Sequence, residues 1–247
     1  MPELLEENFS GPLPGSGQNP GWPKAVVFDL DGTLIDSAPD IANALNKALH
    51  RRGLSPFPVQ RVKDMIGGGV PKLVERALRA HGVSRIGLMP LAADFLRFYR
   101  ADLTTHTKVF PGARELLQRL KGEGRALGLC TNKQHELTLE TLRQLELDEY
   151  FSAVIGERMG RPRKPDPGPL LAILEALGAS ADQAVMIGDS AADVGCAKAA
   201  GVKSVVVSFG YSRTPPGELG GEAAIDRLSE LPACLSSLSP SHAVLAS

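Results

Sequence analysis

Residues 26–37 read VVFDLDGTLIDS and place two carboxylates, Asp29 and Asp31, one residue apart beyond the apolar run Ala25–Phe28. Like charges that close repel, and withdrawing them from water is costly. A divalent cation between them would offset that cost. A reaction could also use them. A carboxylate can attack phosphorus and carry it covalently, and a second one can pass a proton to a leaving alcohol and then activate water. Asp29, at the strand tip, is the candidate nucleophile, and Asp31 the candidate acid/base.

Further short apolar runs recur at 126–130, 153–155, 184–187 and 204–207, and helical stretches separate them. Leu116, Leu117 and Leu120 form one helical stripe, Leu142 and Leu145 belong to another, and Leu170, Leu171, Leu174 and Leu177 form a third. Gly178 and Gly201 stand where helix ends favour a left-handed residue. This alternation predicts an α/β fold, a Rossmann-like parallel sheet covered on both faces. Ligands of such sheets bind beyond the carboxyl ends of the strands. The residues there are Asp29 and Asp31, then Thr131 and Asn132, then Gly188, Asp189 and, one turn on, Asp193. The loop after the run at 153–155 carries Arg158, Arg161, Arg163 and Lys164.

Carboxylates, a hydroxyl and a lysine at one place suit a metal and a phosphate. Mg²⁺ takes one or two carboxylates, keeps waters and bridges to substrate phosphate. An ammonium and a hydroxyl suit phosphate oxygens. An anion attacking an anion is repelled, so Mg²⁺ and Lys164 must screen the approach. Each residue also has a plainer reading. Asp-x-Asp-Gly-Thr suits a turn, Asp189 and Asp193 suit a helix start, Thr131 suits a helix cap, and Lys164 suits a solvated surface.

The interval 38–107 has no strand pattern. Ile41, Leu45 and Leu49 keep helical spacing, as do Leu73, Val74, Ala77 and Leu78, with Pro71 at a first helical position. Phe95, Leu96 and Tyr99 form one more stripe. The expected organisation is a tail at 1–23, a core at 24–37 and 108–235, a helical cap at 38–107 acting as a lid, and a C-terminal tail at 236–247. In the cap, Gly67, Gly68 and Gly69 allow backbone N–H groups to approach an anion, or form a flexible turn. Lys72 and Arg76 follow this loop and are candidates for a substrate carboxylate. Arg79 is read as solvated.

The 247 residues carry a formal net charge of −1. That balance gives no sign of a nucleic-acid or anionic-membrane partner. Cys130, Cys196 and Cys234 lack metal-ligand spacing and fit a reduced, cytoplasmic setting. The first residues do not read as a signal peptide, and no apolar run is long enough to span a bilayer. A monomer or a homodimer is expected.

FDLDGTLIDS, LCTNK, KPDP and MIGDSAAD, in that order, resemble the four motifs of the haloacid-dehalogenase-like phosphohydrolases. The resemblance covers residues 24–235. LIDSAPDIANALN, MIGGGVPKLVERAL and VVVSFGYS are most similar to the bacterial phosphoglycolate phosphatases of that superfamily. The resemblance implies that Asp29 accepts the phosphoryl group and Asp31 is the acid/base. It implies that Asp29 and Asp189 ligate Mg²⁺ with the Asp31 backbone carbonyl, supported by Asp193. Thr131, the Asn132 backbone and Lys164 would hold the phosphoryl group, and the Gly67–Gly69 loop would face the site. The basic loop and the N-terminal tail depart from the family pattern.

The expectation is thus a Mg²⁺-dependent phosphomonoesterase acting on a small phosphorylated acid, 2-phosphoglycolate above others. A sugar-phosphate or pyrophosphate phosphatase, or a phosphosugar mutase, shares the core residues. A hydrolytic dehalogenase needs neither Asp31 nor Asp189. A phospho-accepting signalling module needs neither Asp31 nor a lid.

Overall fold

The structure is a computed structural model that describes residues 21–83 and 87–240. In chain order it runs through β1 (Ala25–Phe28), β2 (Ile35–Asp36), α1 (Ala38–His50), α2 (Val59–Lys63), α3 (Gly69–Ala80), α4 (Leu88–Ala101), β3 (Lys108–Val109) and α5 (Ala113–Gly122). It continues with β4 (Ala126–Gln134), α6 (His135–Gln144), β5 (Ala153–Glu157), α7 (Gly168–Leu177), β6 (Ala184–Gly188), α8 (Ala191–Ala200), β7 (Lys203–Val207), β8 (Ala223–Ile225) and α9 (Leu231–Leu238).

β1 lies inside a six-stranded sheet of order β5-β4-β1-β6-β7-β8, and every pairing in it is parallel. Its four residues alternate between two apolar clusters, as period-2 geometry requires. Val26 and Phe28 join Leu116, Leu117 and Leu120 of α5 and Leu231 and Leu235 of α9. Ala25 and Val27 join Leu170, Ile173, Leu174 and Leu177 of α7 and Ala197 of α8. Burial on both faces makes this run wholly apolar up to Asp29.

Helices α1 to α4 bury a cluster of their own, built on Leu45, Leu49, Leu73, Leu78, Leu91 and Phe95. It meets the sheet side through Leu137 of α6. The two chain crossings pair as a short antiparallel ribbon, Ile35 with Val109 and Asp36 with Lys108.

Several boundaries differ from those expected. β4 continues past Cys130 to Gln134 through an irregularity. β8 is an additional edge strand that pairs with Val205, Val206 and Val207. α3 starts at Gly69, ahead of Pro71, because Gly68 at φ 80° turns the chain there. Leu171 is 42% exposed, and Ile173 takes its place in the α7 stripe. Trp22, assigned to the tail, donates from Nε1 to the Asp182 carbonyl at 2.8 Å. α9 extends through Leu238, which packs against the sheet. Residues 1–20 and 241–247 of the expected tails lie outside the described residues.

Candidate active site

Three carboxylates meet beyond the central strands. Asp29 prolongs β1 by donating its N–H to the Ile187 carbonyl at 2.9 Å. Asp189 follows β6, and Asp193 lies in the first turn of α8. Each offers an oxygen, and these atoms lie within 4.8 Å of one another. All three residues are buried. The Lys164 ammonium enters between two of them, 2.8 Å from Asp29 Oδ1 and 2.5 Å from Asp193 Oδ1. It also donates to the Cys130 carbonyl at 2.6 Å.

Charge in this cluster does not balance. Burial pushes the Asp29 carboxyl up to about 6 despite the pull of Lys164, with Asp193 and Asp31 adding to the rise. Burial, then Asp193 and Asp29, hold Asp189 well above the usual carboxylate range. Burial disfavours the Lys164 charge, but the two carboxylates outweigh it and raise its pKa. One ammonium therefore faces three carboxylates, and the donor set is all hard oxygen. That chemistry fits a divalent cation with oxygen preference.

Local sequence keeps the carboxylates in place. The Asp193 carboxylate accepts from the Ser190 N–H at 3.0 Å and its hydroxyl at 2.6 Å, which ties it to the start of α8. Asp189 accepts the Tyr211 N–H at 2.5 Å. A Cβ on Gly210 would lie 2.2 Å from the Asp189 Cβ, so only glycine lets the β7–β8 loop approach this closely. Gly32, at φ 89°, meets Asp189 Oδ2 in the same way, at 2.5 Å.

The Asp31 side chain has other partners. It accepts the Ser37 hydroxyl at 2.6 Å and lies 3.2 and 3.3 Å from the Lys133 ammonium. Lys133 also donates to the Tyr99 hydroxyl of α4 and lies 4.7 Å over the centre of that ring. Burial pushes the Tyr99 hydroxyl up to about 12. Lys133 stays strongly basic, because Asp31 and Tyr99 outweigh its burial. Asp31 thus stands between the carboxylate cluster and the helical insertion.

A cavity of about 140 Å³ lies here, lined by Asp29, Asp31, Thr131, Asn132, Lys164 and Asp189 from the sheet side and by Gly67, Gly68 and Gly69 from the insertion. The Thr131 hydroxyl accepts the Lys133 N–H at 3.3 Å, and the Asn132 amide donates to the Lys164 carbonyl at 2.9 Å. Lys72 and Arg76, expected at the substrate, are not among the lining residues. The Arg76 guanidinium instead binds the carbonyls of Met65, Ile66 and Gly67 at 2.9, 3.0 and 2.9 Å, which fixes the glycine loop. Lys72 pairs with Glu75 at 3.1 Å. In the basic loop, Arg163 pairs with Glu157 at 2.6 Å, and none of its three arginines lines the cavity.

Sequence reasoning gave no role to Lys133, Tyr99 or Tyr211, all three of which line the cavity. A signal for Lys133 is present in the sequence, since it closes the LCTNK motif two residues beyond Thr131.

A parallel sheet with three carboxylates and a lysine at its strand ends, under a helical insertion, defines a class of hydrolase. The sequence model described as Haloacid dehalogenase-like hydrolase matches residues 26–207, and the chain belongs to that family. More particularly, it is 45% identical over 215 residues to a phosphoglycolate phosphatase of Rhodospirillum rubrum, covering 85% of this chain and 89% of that protein. A phosphoglycolate phosphatase of Pseudomonas fluorescens is 39% identical over 237 residues, covering 94% of this chain and 84% of the relative. Among solved structures, a predicted phosphoglycolate phosphatase from Haemophilus somnus superposes with a TM-score of 0.80 at 26% identity, covering 88% of this chain and 99% of that one. No helix among the described residues is long and apolar enough to cross a membrane.

Proposed function

We propose that this chain hydrolyses 2-phosphoglycolate to glycolate and phosphate through a phospho-Asp29 intermediate. The observation that carries the reading is the buried Asp29 carboxylate, 2.8 Å from the Lys164 ammonium at the floor of a small cavity. Similarity to phosphoglycolate phosphatases over most of the chain supports the choice of substrate. At about 140 Å³ the cavity is smaller than the roughly 300–1,000 Å³ of pockets for drug-sized ligands, which favours a substrate of few atoms.

In the first step an Asp29 oxygen attacks phosphorus and the bond to the ester oxygen breaks. Asp31 gives its proton to the departing glycolate oxygen. In the second step water attacks the phosphorus, Asp31 takes its proton, and the Asp29 carboxylate is released with phosphate. Lys164 and the Thr131 hydroxyl face the phosphoryl oxygens, where a fixed positive charge and a donor stabilise the transition state. Asp29, Asp189 and the Asp31 backbone carbonyl would hold Mg²⁺, with Asp193 behind them. When bound, the cation supplies positive charge against the phosphoryl oxygens. The helical insertion acts as a cap that excludes bulk water.

The test is phosphate release with Mg²⁺ from 2-phosphoglycolate, beside a panel of sugar phosphates, nucleotides and pyrophosphate. A kcat/KM highest for 2-phosphoglycolate supports the reading. Preference for a sugar phosphate or pyrophosphate moves the substrate and keeps the chemistry. A long-lived phospho-Asp29 without turnover points to a signalling role.

A further inference from the structure

Two ammonium groups line the cavity, Lys164 and Lys133. Lys164 is committed to the phosphoryl end by Asp29 and Asp193. The chemistry above gives Lys133 no task, yet its side chain is only 4% exposed. Lysine is rarely buried so deeply unless it is paired. Its three N–H donors meet three acceptors, the two Asp31 oxygens and the Tyr99 hydroxyl. Both Asp31 contacts, at 3.2 and 3.3 Å, are long beside the roughly 2.7–2.9 Å of a tight charge-assisted bond.

Position matters as much as valence. Lys133 borders Asp31, the group that protonates the departing oxygen, on the side where α4 supplies Tyr99. A leaving group whose oxygen meets Asp31 therefore has the Lys133 ammonium close by. For a two-carbon acid, that leaving group ends in a carboxylate. Lys72 and Arg76, the other candidates for this anion, are engaged by Glu75 and by carbonyls of residues 65–67, and neither lines the cavity.

We infer that Lys133 is the specificity-determining cation of this site: its ammonium receives the carboxylate of the substrate while Lys164 faces the phosphoryl group. This rests on the phosphatase reading above. A neutral leaving group offers Lys133 no anion, so discrimination between acidic and neutral esters passes through this one side chain. Tyr99 positions the ammonium and brings a residue of the cap to the same point.

The experiment compares kcat/KM for 2-phosphoglycolate and for ethyl phosphate, which has no carboxylate, with the full chain and Mg²⁺. If the wild-type protein does not prefer 2-phosphoglycolate, the proposed substrate fails and the inference, which rests on it, is overturned with it. Given that preference, Lys133→Met is expected to lower the ratio of the two values about tenfold or more, mainly through KM for 2-phosphoglycolate. Lys133→Arg is expected to keep more of the ratio than Lys133→Met. Both substrates will also lose a common factor, because Asp31 loses a partner. The ratio measured on one sample is independent of the fraction of protein that is folded. An unchanged ratio in Lys133→Met would overturn the inference and leave Lys133 as a positioning residue for Asp31. A second measurement needs no turnover. In an Asp29→Asn background, calorimetry should show that Lys133→Met weakens binding of 2-phosphoglycolate about tenfold more than binding of ethyl phosphate. Equal weakening of both would overturn the inference.

Discussion

Lys164 and Asp29 form an ion pair of 2.8 Å in which both side chains are buried, and Asp193 shares the same ammonium at 2.5 Å. Breaking a buried pair from one side leaves charge without a partner, at a cost of about 3–5 kcal/mol. Lys164→Met is therefore expected to destabilise the fold by roughly that amount and to abolish phosphate release. Urea unfolding checks the first part. The loss should be smaller at pH 5 than at pH 8, because protonation relieves the uncompensated carboxylates. A pH-independent loss would count against the electrostatic account and favour simple packing.

Asp29→Asn separates chemistry from stability. The amide cannot accept a phosphoryl group, so phosphate release and the phosphorylated protein seen by mass spectrometry should both vanish. Stability without divalent cation should rise at neutral pH, since burial holds the Asp29 carboxyl at about 6, against an ordinary value of 3.8. Wild-type turnover in this variant, with deamidation excluded, would remove Asp29 from the nucleophile position.

The same elevation fixes a pH dependence. A carboxyl held at about 6 in the folded protein binds its proton more tightly there than in the unfolded chain. Between about pH 4 and 6 the folded state carries the extra proton, so stability falls as pH rises through this window. Asp189 is shifted the same way. A cation seated among these carboxylates opposes the fall. Metal-free protein should therefore lose melting temperature on going from pH 5 to pH 7, and Mg²⁺ should restore more of it at pH 7 than at pH 5. Equal Mg²⁺ effects at the two pH values would contradict the assignment of the cation to this cluster.

Much of this site could be read before folding because each part is short and local. An apolar run buried on both faces ends at the first carboxylate, so β1 has the bounds its sequence suggests. Gly178 and Gly201 take φ of 60° and 70° at the ends of α7 and α8, as their places in the sequence suggest. What could not be read depends on contacts between distant segments. Tyr99 and Lys133 are 34 residues apart and belong to different packing units. Arg76 and Lys72 looked available because sequence shows charge but not its partners. β8 has only three residues, and its pairing with β7 and the burial of Ile225 come from segments distant in sequence.

The connection between the sheet and the helical insertion gives a further prediction. Asp40, fully buried in the first turn of α1, accepts the N–H of His106 at 3.0 and 2.9 Å and the N–H and hydroxyl of Thr107, each at 2.7 Å. One carboxylate thereby joins the chain leaving the core to the chain returning to it. The variant Asp40→Asn keeps one oxygen but brings an amide donor into a place that offers only donors. Such a mismatch costs about 1–3 kcal/mol. Hydrogen exchange at the amides of residues 106 and 107 should quicken, while exchange in β1 and β6 should follow only the global loss of stability. If the linker amides kept their protection relative to the sheet, Asp40 would not be what ties the two crossings together. Turnover should fall less than in Asp29→Asn, because the reacting groups themselves are untouched and only the mounting of the helical insertion is loosened.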